Sequence, residues 1–68
     1  MNEVQMGLER LRERIARERV SEVEFVAAVA EIVAATPSDL AEVDGLLIAR
    51  EIREIENEWK ASLERMLS

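Results

Sequence analysis

The stretch Ser21-Glu22-Val23-Glu24-Phe25-Val26-Ala27-Ala28-Val29-Ala30-Glu31-Ile32-Val33-Ala34-Ala35-Thr36-Pro37-Ser38-Asp39 carries helix-boundary chemistry at both ends. Ser21 to Glu24 reads as a capping box. The Ser21 hydroxyl is placed to accept from the Glu24 amide, and the Glu24 carboxylate reaches back to the Ser21 amide. Val20 and Phe25 fall at the two positions of a hydrophobic staple, so three local signals agree on a helix start. A continuous helix running through Ser21 is the alternative, and it gives these signals no use. At the far end Thr36 reads as an N-cap, Pro37 as the first helical residue and Asp39 as an acidic third residue. A helix therefore ends near Ala35, and a last one is expected from Pro37 to about Leu67.

Outward from this stretch the chain is rich in Ala, Leu, Glu and Arg, all strong helix formers, and no segment alternates with period two. The expected class is all-α: one 68-residue domain with helices over about 2–19, 22–35 and 37–67. Such a helical hairpin or three-helix unit, with its long C-terminal helix, is expected to assemble as a homodimeric helical bundle. Asp44-Gly45 offers a third break, or Gly45 sits inside the long helix with a kink or fraying there. Asp44 is read as an N-cap or turn residue next to Gly45, with a salt bridge to an arginine of the first helix or of a partner as the alternative.

The three helices carry different faces. Val4, Leu8, Leu11 and Ile15 recur at spacings of four, three and four, with Met1 continuing the series backwards. That is a narrow seam, flanked by Arg12, Arg14 and Arg19, so it calls for an acidic neighbour. The third helix supplies one: Ile48, Ile52, Ile55, Trp59, Leu63 and Met66 form a face bordered by Glu51, Glu56 and Glu58. The first helix is expected to pack there, within one chain or across a dimer.

From Glu22 to Ala35, 11 of 14 residues are apolar, leaving hardly any polar side to face water. Two neighbouring helices do not cover such a helix on all sides, and a core of this size rarely supplies more than about 3–5 kcal/mol unaided. A second copy is the simplest cover. The expected dimer interface comprises Phe25, Val26, Val29, Ile32, Val33, Leu40, Val43 and Leu47; the alternative assigns these residues to a monomeric three-helix core. Ala41, Gly45 and Ala49 form a small-residue strip expected to lie against the Ala-rich middle helix.

With no Cys, His or Tyr and only two isolated glycines, the commonest nucleophiles, proton shuttles, zinc ligands and phosphate loops are missing. Glu51, Glu54 and Glu58 are the one carboxylate group, and they read as a solvated face. No cofactor, no metal and no enzymatic activity are expected. The 15 acidic and 9 basic residues give a net charge of −6, which disfavours nucleic acid and anionic membranes. Arg10, Arg14 and Arg17 nevertheless align on the outer face of the first helix, where a phosphate-tracking stripe is the minor alternative. There is no secretory pattern, and the chain is expected to be soluble and cytoplasmic.

These features point to a protein that acts by occupancy: a small acidic regulator of inhibitor, antiactivator or antitoxin type, homodimeric, masking or bridging a partner protein. Trp59, Leu46, Leu47, Arg10, Arg14 and Arg17 are the candidate partner-binding residues. Trp59 also fits a core role, because it continues the Ile48–Ile52–Ile55 series. A purely structural self-associating bundle, natural or designed, is the other reading.

Overall fold

The computed structural model describes residues 3–67 and is all-helical over them, with α1 (Glu3–Arg17), α2 (Glu22–Ala35) and α3 (Glu42–Leu67). Met1, Asn2 and Ser68 lie outside the described residues, and with them the expected backward extension of the seam to Met1.

The capping box at Ser21 forms as its sequence implies. The Glu24 amide donates to Ser21 Oγ over 3.2 Å, and Ser21 Oγ donates to the Glu24 carboxylate over 3.0 Å. Val20 and Phe25 are both buried in the core cluster. α1 stops at Arg17 rather than at residue 19, and residues 18–20 turn the chain into the cap.

The second boundary differs from the sequence expectation. Thr36 closes α2 instead of opening α3: its amide donates to Val33 O over 3.1 Å and its hydroxyl to Ile32 O over 2.9 Å. Its extended backbone, φ −73° and ψ 126°, is the geometry a following proline imposes. Residues 37–40 then make a single turn, with Leu40 N donating to Pro37 O over 3.3 Å, and α3 begins five residues later than expected. Gly45 is no break. Its amide donates to Ala41 O over 3.0 Å in the first turn of α3, and Asp44 stands exposed beside it.

α1 is the central element. It packs on both α2 and α3, which make far fewer contacts with each other. All four seam residues, Val4, Leu8, Leu11 and Ile15, are buried, together with Val20, Phe25, Ile32, Ile55 and Trp59. Gly7 lets α1 and α2 cross closely, since a Cβ there would lie 2.9 Å from Ile32 Cγ1. The acidic flank expected of α3 meets α1 within the chain, where Arg12 and Glu51 pair at 3.5 Å.

With 26 residues α3 is about 39 Å long and α1 with 15 is about 22 Å, so α3 overhangs its support. The molecule measures 43 × 20 × 17 Å, and its radius of gyration of 12.5 Å exceeds the roughly 11 Å of a compact chain this long. α2 and α3 are thus two walls on one floor.

Candidate interaction surface

The structure divides the predicted interface residues into three sets. Phe25 and Ile32 are buried in the core of the chain. Their side chains lie on the α2 face that meets α1, two turns apart, and the sequence had no means of telling this face from the others. Val29 and Leu40 are half-buried. Val26, Val33, Val43 and Leu47 are exposed, at 58%, 56%, 68% and 53%, and so is the candidate partner residue Leu46.

Trp59 belongs to the interior and is corrected as a partner contact. Its ring stacks on Phe25 with centroids 4.4 Å apart and planes 4° from parallel, and its indole N–H donates to Val20 O over 2.7 Å. Both the apolar body and the polar edge of the indole are satisfied within the chain.

Arg14 and Arg17 of the α1 arginine stripe pair with carboxylates. Arg14 pairs with Glu24 at 2.6 Å and with Glu18 at 3.4 Å, and Arg17 pairs with Glu13 at 3.3 Å. Arg10 lines the cleft between α1 and α2 with Met6, Arg14 and Glu31. The Ser21 hydroxyl and amide, bonded to the Glu24 carboxylate, hold it below the usual range, and the Arg14 guanidinium lowers it further. Of these pairs, Arg14–Glu24 joins α1 to α2, whereas Arg17–Glu13 lies within α1.

Glu51 is turned toward Arg12, and one of its carboxylate oxygens is buried without a hydrogen-bond partner. Glu54 pairs with Arg50 at 3.6 Å. Among the described residues there is no group of three acidic or other ligating side chains placed to hold a metal ion. No described helix is long and apolar enough to cross a membrane.

What remains is an apolar surface over α2 and the start of α3. Between α2 and α3 runs an open groove lined by Val26, Val29, Ile52 and Leu63 above the Phe25–Trp59 stack, with Glu22, Glu56 and Lys60 along its edges. A second open groove, at the α1 N-terminus, includes Leu40, Leu47 and Ile48. The small-residue strip does not meet α2 as expected. A Cβ at Gly45 would have nothing within 4 Å, because α2 leans on α1 and leaves the start of α3 uncovered.

Two features escaped the sequence reading. The close crossing at Gly7 was signalled by a glycine inside an otherwise strongly helix-forming segment. The Val20 carbonyl as partner of the Trp59 indole had no sequence signal, since 39 residues separate them. No protein-family model, curated protein or solved structure matches the chain.

Proposed function

We propose that this chain is a small non-catalytic protein-binding module that works as a helical homodimer, masking or bridging a surface of another protein in the manner of an inhibitor, antiactivator or antitoxin. One observation carries the reading: Val26, Val33, Val43, Leu46 and Leu47, all large apolar side chains within 22 residues of one another, are more than half exposed. Scattered exposed valines are ordinary; five large exposed apolar side chains on two consecutive helices support a contact role. The acidic excess of the chain favours a basic partner surface through steering of the encounter.

Light scattering on a sizing column, from micromolar to hundreds of micromolar, tests the dimer. A mass near twice 7.7 kDa is expected, and 7.7 kDa throughout overturns the homodimer. For the partner-facing role, Leu46→Ala and Leu47→Ala are compared with the parent chain. A protein retained by the parent and lost from helical variants supports the assignment, and equal retention removes both leucines from the site.

A further inference from the structure

The groove where the N-terminal ends of α1 and α3 meet is apolar inside and acidic at its rim. Val4, Leu40, Leu47 and Ile48 line it, and Glu3 and Asp44 are its charged members. It holds no lysine or arginine, whereas the groove between α2 and α3 mixes Glu22 and Glu56 with Lys60 and so favours neither sign. We infer that this end groove takes an amphipathic helix of a partner protein, its apolar side chains seated on Leu40, Leu47 and Ile48 and its lysines or arginines facing Glu3 and Asp44. The inference rests on the protein-binding reading proposed above, though not on the homodimer, and names the surface and the chemistry of the partner segment.

Charge selects this occupant. Residues 3–9 and 36–49 contain no Lys or Arg, and Asp39 and Glu42 stand exposed on either side of Leu40 in the chain. Glu13, Glu18, Glu24, Glu51 and Glu54 are each paired with an arginine, but among the described residues Glu3, Asp39, Glu42 and Asp44 are not. Acids in a first turn are partly balanced by the helix dipole. Two helix N-termini supply roughly half a positive charge each, which leaves about three of these four negative charges uncompensated. Exposed acids alone are ordinary on a helix surface. These border Leu47, 53% exposed, and the apolar surface continues through Val43 and Leu46. A single sign of charge around an apolar floor suits a partner of the opposite sign. A second copy does not supply it, because a two-fold contact through this end would set the same carboxylates against one another.

Backbone chemistry selects a helix over an extended peptide. An extended segment gains most when it pairs its amides and carbonyls with a sheet edge, and the described residues contain no strand. A helix arrives with its backbone already bonded and needs only side-chain contacts.

The probe is a labelled peptide of about 18 residues, long enough to be helical, with Leu at spacings of three and four and Lys on both flanks. Fluorescence anisotropy at low salt measures its binding to the full chain, beside a peptide with Glu in place of Lys and one with Ala in place of Leu. The Lys-Leu peptide should bind, and each of the others roughly tenfold more weakly or not at all. No binding of the Lys-Leu peptide overturns the inference. The Glu3→Gln, Asp44→Asn double variant should bind it about three- to tenfold more weakly, the effect of two exposed charge pairs. Glu58→Gln with Glu64→Gln removes the same charge from the second half of α3 and should leave binding unchanged. Equal weakening by both double variants overturns the groove, since the peptide then reads net charge alone. Amide NMR shifts on titration should centre on Val4 and on Leu40 to Ile48, and shifts centred on Val26 and Val29 overturn the location. A peptide that splits a dimer of the chain into 7.7 kDa monomers overturns the inference by assigning the groove to a second copy. A chain that retains a protein through Leu46 yet binds none of the peptides sinks this groove alone, whereas one that retains no protein and binds no peptide sinks the protein-binding reading with it.

Discussion

The indole N–H of Trp59 donates to the backbone carbonyl of Val20 over 2.7 Å, tying the second half of α3 to the residue that precedes the α2 cap. Val20 is 1% exposed and Trp59 9%, so the bond lies out of water. Above it Phe25, four residues after the capping serine, stacks on the same indole. One aromatic residue thus holds the α1–α2 corner and α3 together.

Replacing Trp59 by Phe keeps most of the stacking surface but removes the donor facing that carbonyl. The loss is expected at about 1–3 kcal/mol, the penalty of an unsatisfied buried acceptor. Urea unfolding followed by circular dichroism measures it. Stability equal to that of the parent would mean the Val20 carbonyl finds water instead.

The two glycines should answer oppositely to alanine. At Gly45 the position is open, so Gly45→Ala gains helix propensity and raises stability by about 1 kcal/mol. At Gly7 the new methyl lies 2.9 Å from Ile32 Cγ1, a branch near the buried core rather than a flexible tip. Overpacking of this kind typically costs about 1–3 kcal/mol, more than the propensity gain, and Gly7→Ala should lower the thermal midpoint. A higher midpoint for both variants would show that α1 and α2 separate without strain.

Glu24 gives the α2 start a dependence on pH. Its carboxyl is held below 4.5 by the Ser21 hydroxyl and amide, with help from Arg14. A group whose folded value is lowered stabilises the fold above its unfolded value, and this contribution disappears as pH falls through the folded value. Glu24→Gln is therefore expected to be less stable than the parent at neutral pH, with the gap closing as the solution is acidified below 4.5. A gap of constant size would assign the loss to something other than the charge.

The reach of local signals decided what was legible. The capping box at Ser21 and the seam Val4–Leu8–Leu11–Ile15 involve residues within a turn or one face, and both stand in the structure as their spacing implies. Thr36-Pro37 misled because a threonine before proline serves a helix end as well as a helix start. Its hydroxyl bonded backward to Ile32 O, and the following turn moved the start of α3 to Glu42. Trp59 was legible as a core residue from its place in the Ile48–Ile52–Ile55 series, whereas Phe25 and Ile32 read as dimer-interface residues, with a monomeric core as the alternative.

By itself, then, the sequence determined that the chain is helical, where α2 begins, which edge of α1 is buried, and that α2 carries more apolar surface than a polar side could offset. These follow from propensity, capping and periodicity, which act over a few residues. Only the tertiary structure decided which side of α2 is turned inward. Once Gly7 admits Ile32 and Trp59 captures both Phe25 and the Val20 carbonyl, Phe25 and Ile32 are enclosed, and Val26 and Val33 are left outside. A helix apolar on nearly every side has no preferred face of its own; its neighbours choose one through contacts between residues distant in the chain.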